Sequence, residues 1–198
     1  MVAESTGLPY LDTGAMYRCV ALQSIRESVE ASDEEAIARI AQTVKISVEG
    51  VQSWLNDEDV SHLIRTTEIA SIVSVIATHS PVRTAMRSQQ QKWINTHGGG
   101  VVEGRDIGTV VFPQAEVKIF LTASPEERAT RRVGQSGGNI ASVAASIAER
   151  DRIDSERIDS PLRPAEDAIV IDSTGLDISS VVSIIVGHFH ARSGEING

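Results

Sequence analysis

Aromatic residues make up only 4% of this 198-residue chain, so a packed interior has to come from Val, Ile, Leu and Ala. A single cysteine, Cys19, excludes an intramolecular disulfide. Set among Met16, Val20 and Leu22, it reads as a small buried apolar side chain. No run approaches the ~18 apolar residues of a membrane-spanning helix. The N-terminus has no basic segment leading into an apolar one, so no secretory signal is readable. The cytoplasm is the expected compartment, with no membrane partner. Lysine is scarce as well: Lys45, Lys92 and Lys118 are the three in the chain. No G-x-x-x-x-G-K-[ST] run occurs anywhere, and none of the lysines lies in a glycine-rich loop that could cradle phosphates. Gly98-Gly99-Gly100 precedes a strand instead of following one, so it reads as a helix terminator.

What is present describes one globular domain over residues 1–198, with 41% hydrophobic and 23% charged residues. The net charge of −9 argues against a general nucleic-acid binder. Against that background the basic residues are mostly arginine. Arg128, Arg131, Arg132, Arg150, Arg152, Arg157 and Arg163 fall in one stretch without a lysine. Arginine's planar fork suits phosphate oxygens. Composition leaves a second reading open, a solvated face of ion pairs with Glu149, Asp151, Asp154, Glu156 and Asp159.

Short apolar strands alternate with amphipathic helices, the pattern of an α/β domain with a parallel sheet. Strands are expected at 8–12, 101–103, 117–122 and 168–172. Thr13 is placed as the cap of a helix over 14–28. Ser32 and Glu35 form a capping box ahead of the next helix. Residues 44–49 and 51–55 alternate around Gly50 and read as a small antiparallel hairpin, with 57–65 looped. Helices come next over 66–78 and from Ser80-Pro81, with Ser80 as cap. Ser124-Pro125-Glu126-Glu127 starts a helix that carries Arg128, Arg131 and Arg132 on one face. It breaks at 134–138, and 140–152 is helical again. Asp177 caps a helix over 178–187, and the tail from residue 192 is expected to fray. His188 and His190, two apart, do not share a helix face and offer no metal site.

In open parallel sheets, ligands bind beyond the carboxyl ends of the strands. The residues leaving those ends are Asp12-Thr13-Gly14, Glu103-Gly104-Arg105-Asp106, Thr122-Ala123-Ser124 and Asp172-Ser173-Thr174. Acids and an arginine gather there, and Arg18 lies on the helix opened by Thr13. Each alone is more often a cap or a surface ion pair. Together they indicate an anion site at one sheet edge.

These blocks resemble the bacterial cytidylate kinases. Leu11-Asp12-Thr13-Gly14-Ala15-Met16-Tyr17-Arg18 is similar to that family's segment after its second strand. Glu103-Gly104-Arg105-Asp106-Ile107-Gly108-Thr109-Val110-Val111-Phe112-Pro113 is similar to its most distinctive motif. Glu149-Arg150-Asp151, with Asp154, Arg157 and Pro161-Leu162, resembles the lid and the segment after it. Asp172-Ser173-Thr174 matches the end of the last strand. The resemblance implies a P-loop-kinase-like parallel sheet with flanking helices, an NMP-binding insert region over 30–75 and a lid over 125–158. It implies phosphoryl transfer from ATP, with Mg2+, to CMP or dCMP, by a monomer. Thr13, Arg18, Arg105 and Arg157 would hold the CMP phosphate. Ser74, Arg83 and Asp106 would read the cytosine edge, and Arg150 and Asp154 would contact the sugar. Arg128, Arg131 and Arg132 would be lid arginines at the transferring phosphoryl group. Glu103 stands where related kinases carry an acid near Mg2+, as Glu here and more commonly Asp. The resemblance also implies that the family's first, central strand and phosphate loop, about 25 residues, lie ahead of the segment aligned with Met1. The chain is then expected to be a cytidylate kinase needing upstream residues; the alternative is a non-catalytic remnant that binds a nucleotide or a protein.

Overall fold

The computed structural model describes residues 1–196. It is an α/β structure of two compact units, Gly7–Ile107 and Gly108–Gly198 with Met1–Thr6.

In the unit Gly7–Ile107, strand β1 (Tyr10–Asp12) pairs in parallel with β5 (Val101–Glu103), in the register Tyr10↔Val101, Leu11↔Val102 and Asp12↔Glu103. Helix α2 (Thr13–Arg26) leaves β1 directly. Its cap is Asp12, whose Oδ1 accepts from the Ala15 N–H at 3.0 Å. Thr13, placed as cap by its hydroxyl, is the first helical residue instead. That hydroxyl donates to the Glu103 carbonyl at 2.6 Å and is not available to the helix end. The start of α3 (Glu34–Thr43) shifts in the same way, because Asp33 rather than Ser32 accepts from the Ala36 N–H.

The expected hairpin is present as β2 (Ile46–Glu49) and β3 (Gln52–Leu55), antiparallel. A third strand, β4 (Glu58–Asp59), pairs with β3 inside the segment expected to be a loop; two residues are too few to show a period. Helices α4 (Thr67–Ile76) and α5 (Ser80–His97) come after it. His79, not Ser80, occupies the N-cap of α5, its ring Nε2 lying 2.7 Å from the Ala31 carbonyl oxygen. Gly98 ends α5 with φ of 72°, a conformation open to glycine at no steric cost. A continuous apolar core joins these elements through Leu11, Val20, Ile37, Leu55, Ile69 and Met86. Cys19 lies within it, and burial, with the Asp12 charge adding to it, pushes the thiol up to about 12.

In the other unit, β6 (Ile119–Thr122) pairs in parallel with β7 (Ile169–Asp172). Helix α6 (Pro125–Ser136) begins as the sequence reads: Ser124 accepts from the Glu127 N–H at 3.2 Å and Pro125 opens the first turn. It continues through Gly134 and stops at Gly137. Helix α7 (Ile140–Glu156) runs four residues past its expected end. Asp177 caps α8 (Ile178–Ile196) by accepting from the Ser180 N–H. This helix does not stop at Gly187 or fray from residue 192; residues 197 and 198, the end of the expected tail, lie outside the described residues. The short helix α1 (Val2–Thr6) packs on α8. No helix among the described residues is long and apolar enough to cross a membrane.

Parallel sheets ordinarily have both faces covered, yet in this two-stranded sheet Leu121 is 51% exposed and Val170 59%. Each buried aliphatic side chain contributes roughly 1.5–3 kcal/mol, so the units differ in what resists local opening. Amide hydrogen exchange should therefore be at least about tenfold slower in α2 and α5 than in β6 and β7. Equal protection of the two sets would refute this distribution of stability.

Candidate functional site

The expected residues fall into one group in each unit. In Gly7–Ile107 the carboxyl ends of β1 and β5 lie side by side through the pair Asp12↔Glu103. Thr13 is buried at this edge, and Glu103 is exposed beside it. One more side chain, which sequence reasoning passed over, joins them: Tyr10 donates its hydroxyl to Glu103 Oε2 at 2.6 Å. Burial, with the bond to Glu103 adding to it, pushes the Tyr10 phenol far above its ordinary range, so it stays a donor. The missed signal was position. Tyr10 lies two residues before Asp12, on the same face of a strand that ends at this edge. Gly104 has no room for a side chain, because a Cβ there would come 2.5 Å from Thr13 Oγ1 and 2.7 Å from Ile107 Cδ1.

The chain after β5 turns inward. Asp106 is buried, and its Oδ2 accepts from Arg83 Nη2 at 2.5 Å. Arg83, on α5, is 3% exposed and also donates from Nη1 to the Ala77 carbonyl at 3.2 Å. An ion pair this deep requires good geometry to offset desolvation. Arg18, on α2, donates to the Ile64 carbonyl at 3.1 Å. Arg105 and, on α4, Ser74 are both half-buried.

The second group belongs to α6, α7 and the turn after it. Arg128 is ion-paired and hydrogen-bonded to Asp151. Arg131 donates through Nε to Glu127, through Nη1 to Ser173 Oγ at 3.0 Å, and through Nη2 to the carbonyls of Ser173 and Leu176. Its fork thus ties α6 to the loop after β7. Arg132 is exposed on the same helix. Asp154 and Arg157 form a second buried pair, with Nη1 3.2 Å from Oδ1 and both side chains 4% exposed. Arg157 Nη2 also donates to the Ser160 carbonyl. Arg150 Nε lies 3.9 Å from the other oxygen of Asp154. Arg152, by contrast, is an exposed ion-pair residue that joins Glu149 and Glu156.

The sequence of this chain matches known proteins over nearly all of its length. A sequence model of the cytidylate kinase family matches residues 1–191. The chain belongs to the cytidylate kinase family. It is 44% identical to a cytidylate kinase of Bacillus subtilis, over 98% of this chain and 90% of that one. It is 47% identical to a bifunctional pantoate ligase/cytidylate kinase of Trichormus variabilis, over 98% of this chain and 39% of that protein. A protein of the same description from Prochlorococcus marinus is 44% identical and is covered over 42% of its length. The chain therefore spans about two fifths of the length of these bifunctional relatives.

Two of the three lysines are engaged in ion pairs. Lys118 immediately precedes β6, at the amino end of the strand, and donates to the Pro113 carbonyl and to both oxygens of Asp167. The hydrogen bonding from Lys118, with its charge adding to it, holds the Asp167 carboxyl below its ordinary range. Lys45 is paired with Asp57. A cavity of about 310 Å³ lies around Lys118, Gly108, Arg163 and Asp167. It borders the amino ends of β6 and β7, whereas ligands of parallel sheets bind at the carboxyl ends.

Proposed function

We propose that this chain binds CMP or dCMP as phosphoryl acceptor for ATP, giving CDP or dCDP and ADP. The observation that carries the proposal is the buried Arg83–Asp106 pair, set just past the carboxyl end of β5. Cytosine offers an N4 amine to a carboxylate and an O2/N3 acceptor face to a guanidinium. Arg83 and Asp106 are assigned to that edge together with Ser74. Thr13, Arg18, Arg105 and Arg157 are assigned to the acceptor phosphate, and Arg150 and Asp154 to the sugar. Arg128, Arg131 and Arg132 are assigned to a lid over 125–158, and the insert over 30–75 to nucleotide monophosphate binding.

In the reaction, an oxygen of the CMP phosphate attacks the γ-phosphorus of ATP and ADP leaves. Little bond-making falls to the protein, whose part is to position the reactants and neutralise charge. The arginines supply fixed positive charge as the two anionic groups approach. Among the described residues no three His, Cys, Asp or Glu side chains gather as a metal cage. Mg2+ needs no such cage: it keeps several waters and takes one or two carboxylates plus substrate phosphates. Glu103 fits that donor set, exposed at the end of β5 with only Oε2 engaged by Tyr10. When bound, Mg2+ would supply charge neutralisation at the donor phosphates. No glycine-rich G-x-x-x-x-G-K-[ST] cradle for those phosphates occurs among these 198 residues. A non-catalytic chain that binds a nucleotide is the second reading, favoured by the absence of that loop from the sequence.

Isothermal calorimetry should show CMP binding at least about tenfold tighter than AMP, which is larger and lacks the cytosine O2 acceptor, and tighter than UMP, whose O4 acceptor would face the carboxylate. Tighter binding of AMP would overturn the assignment.

A further inference from the structure

The strand–helix junction formed by β1 and α2 grips Glu103 at two points. The Tyr10 hydroxyl donates to the side chain at Oε2, and the Thr13 hydroxyl donates to the main-chain carbonyl, each at 2.6 Å. Both bonds result from the parallel register. Tyr10 pairs with Val101 and Asp12 with Glu103, so Glu103 lies two residues further along than the partner of Tyr10. Two residues of strand advance about 6.6 Å, which is the distance a tyrosine ring can bridge diagonally to a neighbouring strand. Asp12 Oδ1 is held by the Ala15 N–H as the cap of α2. Gly104 completes the arrangement, since any side chain there would displace the Thr13 hydroxyl.

An exposed glutamate ordinarily samples several rotamers. Here its carboxylate is pinned at Oε2 by the Tyr10 hydroxyl, which leaves Oε1 open to a ligand. We propose that Tyr10 is a positioning residue that fixes Glu103 for a divalent cation at the carboxyl end of β5. This rests on the assignment of Glu103 to Mg2+ made above. Metal-bound carboxylates are themselves held by a hydrogen bond from an outer partner, and loss of that partner typically lowers metal affinity about 10–100-fold. A tyrosine bond that served only to join β1 to β5 would act on stability and leave cation binding unchanged.

The test uses Mn2+ as probe on the full chain, with Tyr10→Phe, Glu103→Gln and the double variant. The readout is paramagnetic broadening of backbone amide signals in NMR spectra, recorded alongside thermal melting. In the parent protein Mn2+ should broaden the Glu103 and Gly104 amides selectively. Tyr10→Phe keeps the ring and its packing, and should need about tenfold more Mn2+ for the same broadening. Glu103→Gln should abolish the selective broadening, and the double variant should behave like Glu103→Gln alone. If Glu103→Gln abolishes it but Tyr10→Phe leaves the Mn2+ midpoint where it was, the positioning role is overturned and the Glu103 assignment stands. A lowered melting temperature in Tyr10→Phe with an unmoved Mn2+ midpoint overturns it equally, in favour of a structural tie. Selective broadening that survives Glu103→Gln overturns the metal assignment itself, and the role of Tyr10 with it.

Discussion

Arg83→Ala should destabilise the fold by about 3–5 kcal/mol, because it breaks a buried ion pair by removing one partner. Arg83 is 3% exposed and Asp106 8%, and their contact is 2.5 Å. The reverse change, Asp106→Ala, should cost about as much by the same reasoning. The informative variant removes both charges. Arg83→Met with Asp106→Leu replaces the pair by apolar groups of similar volume, a change that is often neutral or stabilising by about 1–4 kcal/mol. Stability should therefore return in the double variant while CMP binding does not. With no donor and acceptor pair for the cytosine edge, affinity should fall at least about a hundredfold. Urea denaturation gives the first quantity and calorimetry with CMP the second. A stable double variant that still bound CMP as well as the parent would show that the pair is structural and that the base is read elsewhere.

The pair illustrates how much of the site was legible before the fold. Asp106 stood out because it leaves the carboxyl end of a short apolar strand, and Arg83 because it resembles a family residue. That the two touch across 23 positions, and that both are buried, emerges only from α5 packing its arginine against the turn after β5. The strands were readable for a simple reason. In β1, β5, β6 and β7 short apolar runs break off at polar or acidic residues. Helix starts were less secure where two cap formers stood together. Thr13 lost to Asp12 because a tertiary partner, the Glu103 carbonyl, claimed its hydroxyl. Ser32 lost to Asp33, and Ser80 to His79, with the backbone deciding by one residue. The arginine-rich stretch divides between the two readings that composition left open. Arg152 is a solvated ion-pair residue, whereas Arg157 lies buried against Asp154. Charge pattern alone could not separate them, since both arginines have acids three or four positions away in the sequence.

The largest effect expected is on turnover. With ATP, Mg2+ and CMP, these 198 residues should form CDP at least about a thousandfold more slowly than the Bacillus subtilis relative assayed beside them. Removing a single preorganised donor from a transition-state site typically costs about a hundred- to a thousandfold in rate. Here a whole set of donors to the β- and γ-phosphates is missing, because no glycine-rich GK[ST] loop occurs in the sequence. Two of the three lysines are already engaged elsewhere. Lys118 is held at the amino end of β6 by Pro113 and Asp167, and Lys45 is paired with Asp57. Arg131, proposed above for the lid, has every nitrogen engaged and would first have to release Ser173 and Leu176. On the proposed assignment, acceptor binding should not share this deficit, since the Arg83–Asp106 pair is intact and buried in its own unit. Rate and binding should therefore separate. A coupled ATP/CMP assay should read near background on a sample whose CMP titration saturates. Turnover within tenfold of the relative would show that phosphate donors other than a glycine-rich loop operate in this chain. Failure of CMP to bind at all, in a sample that melts cooperatively, would remove the acceptor-site assignment as well.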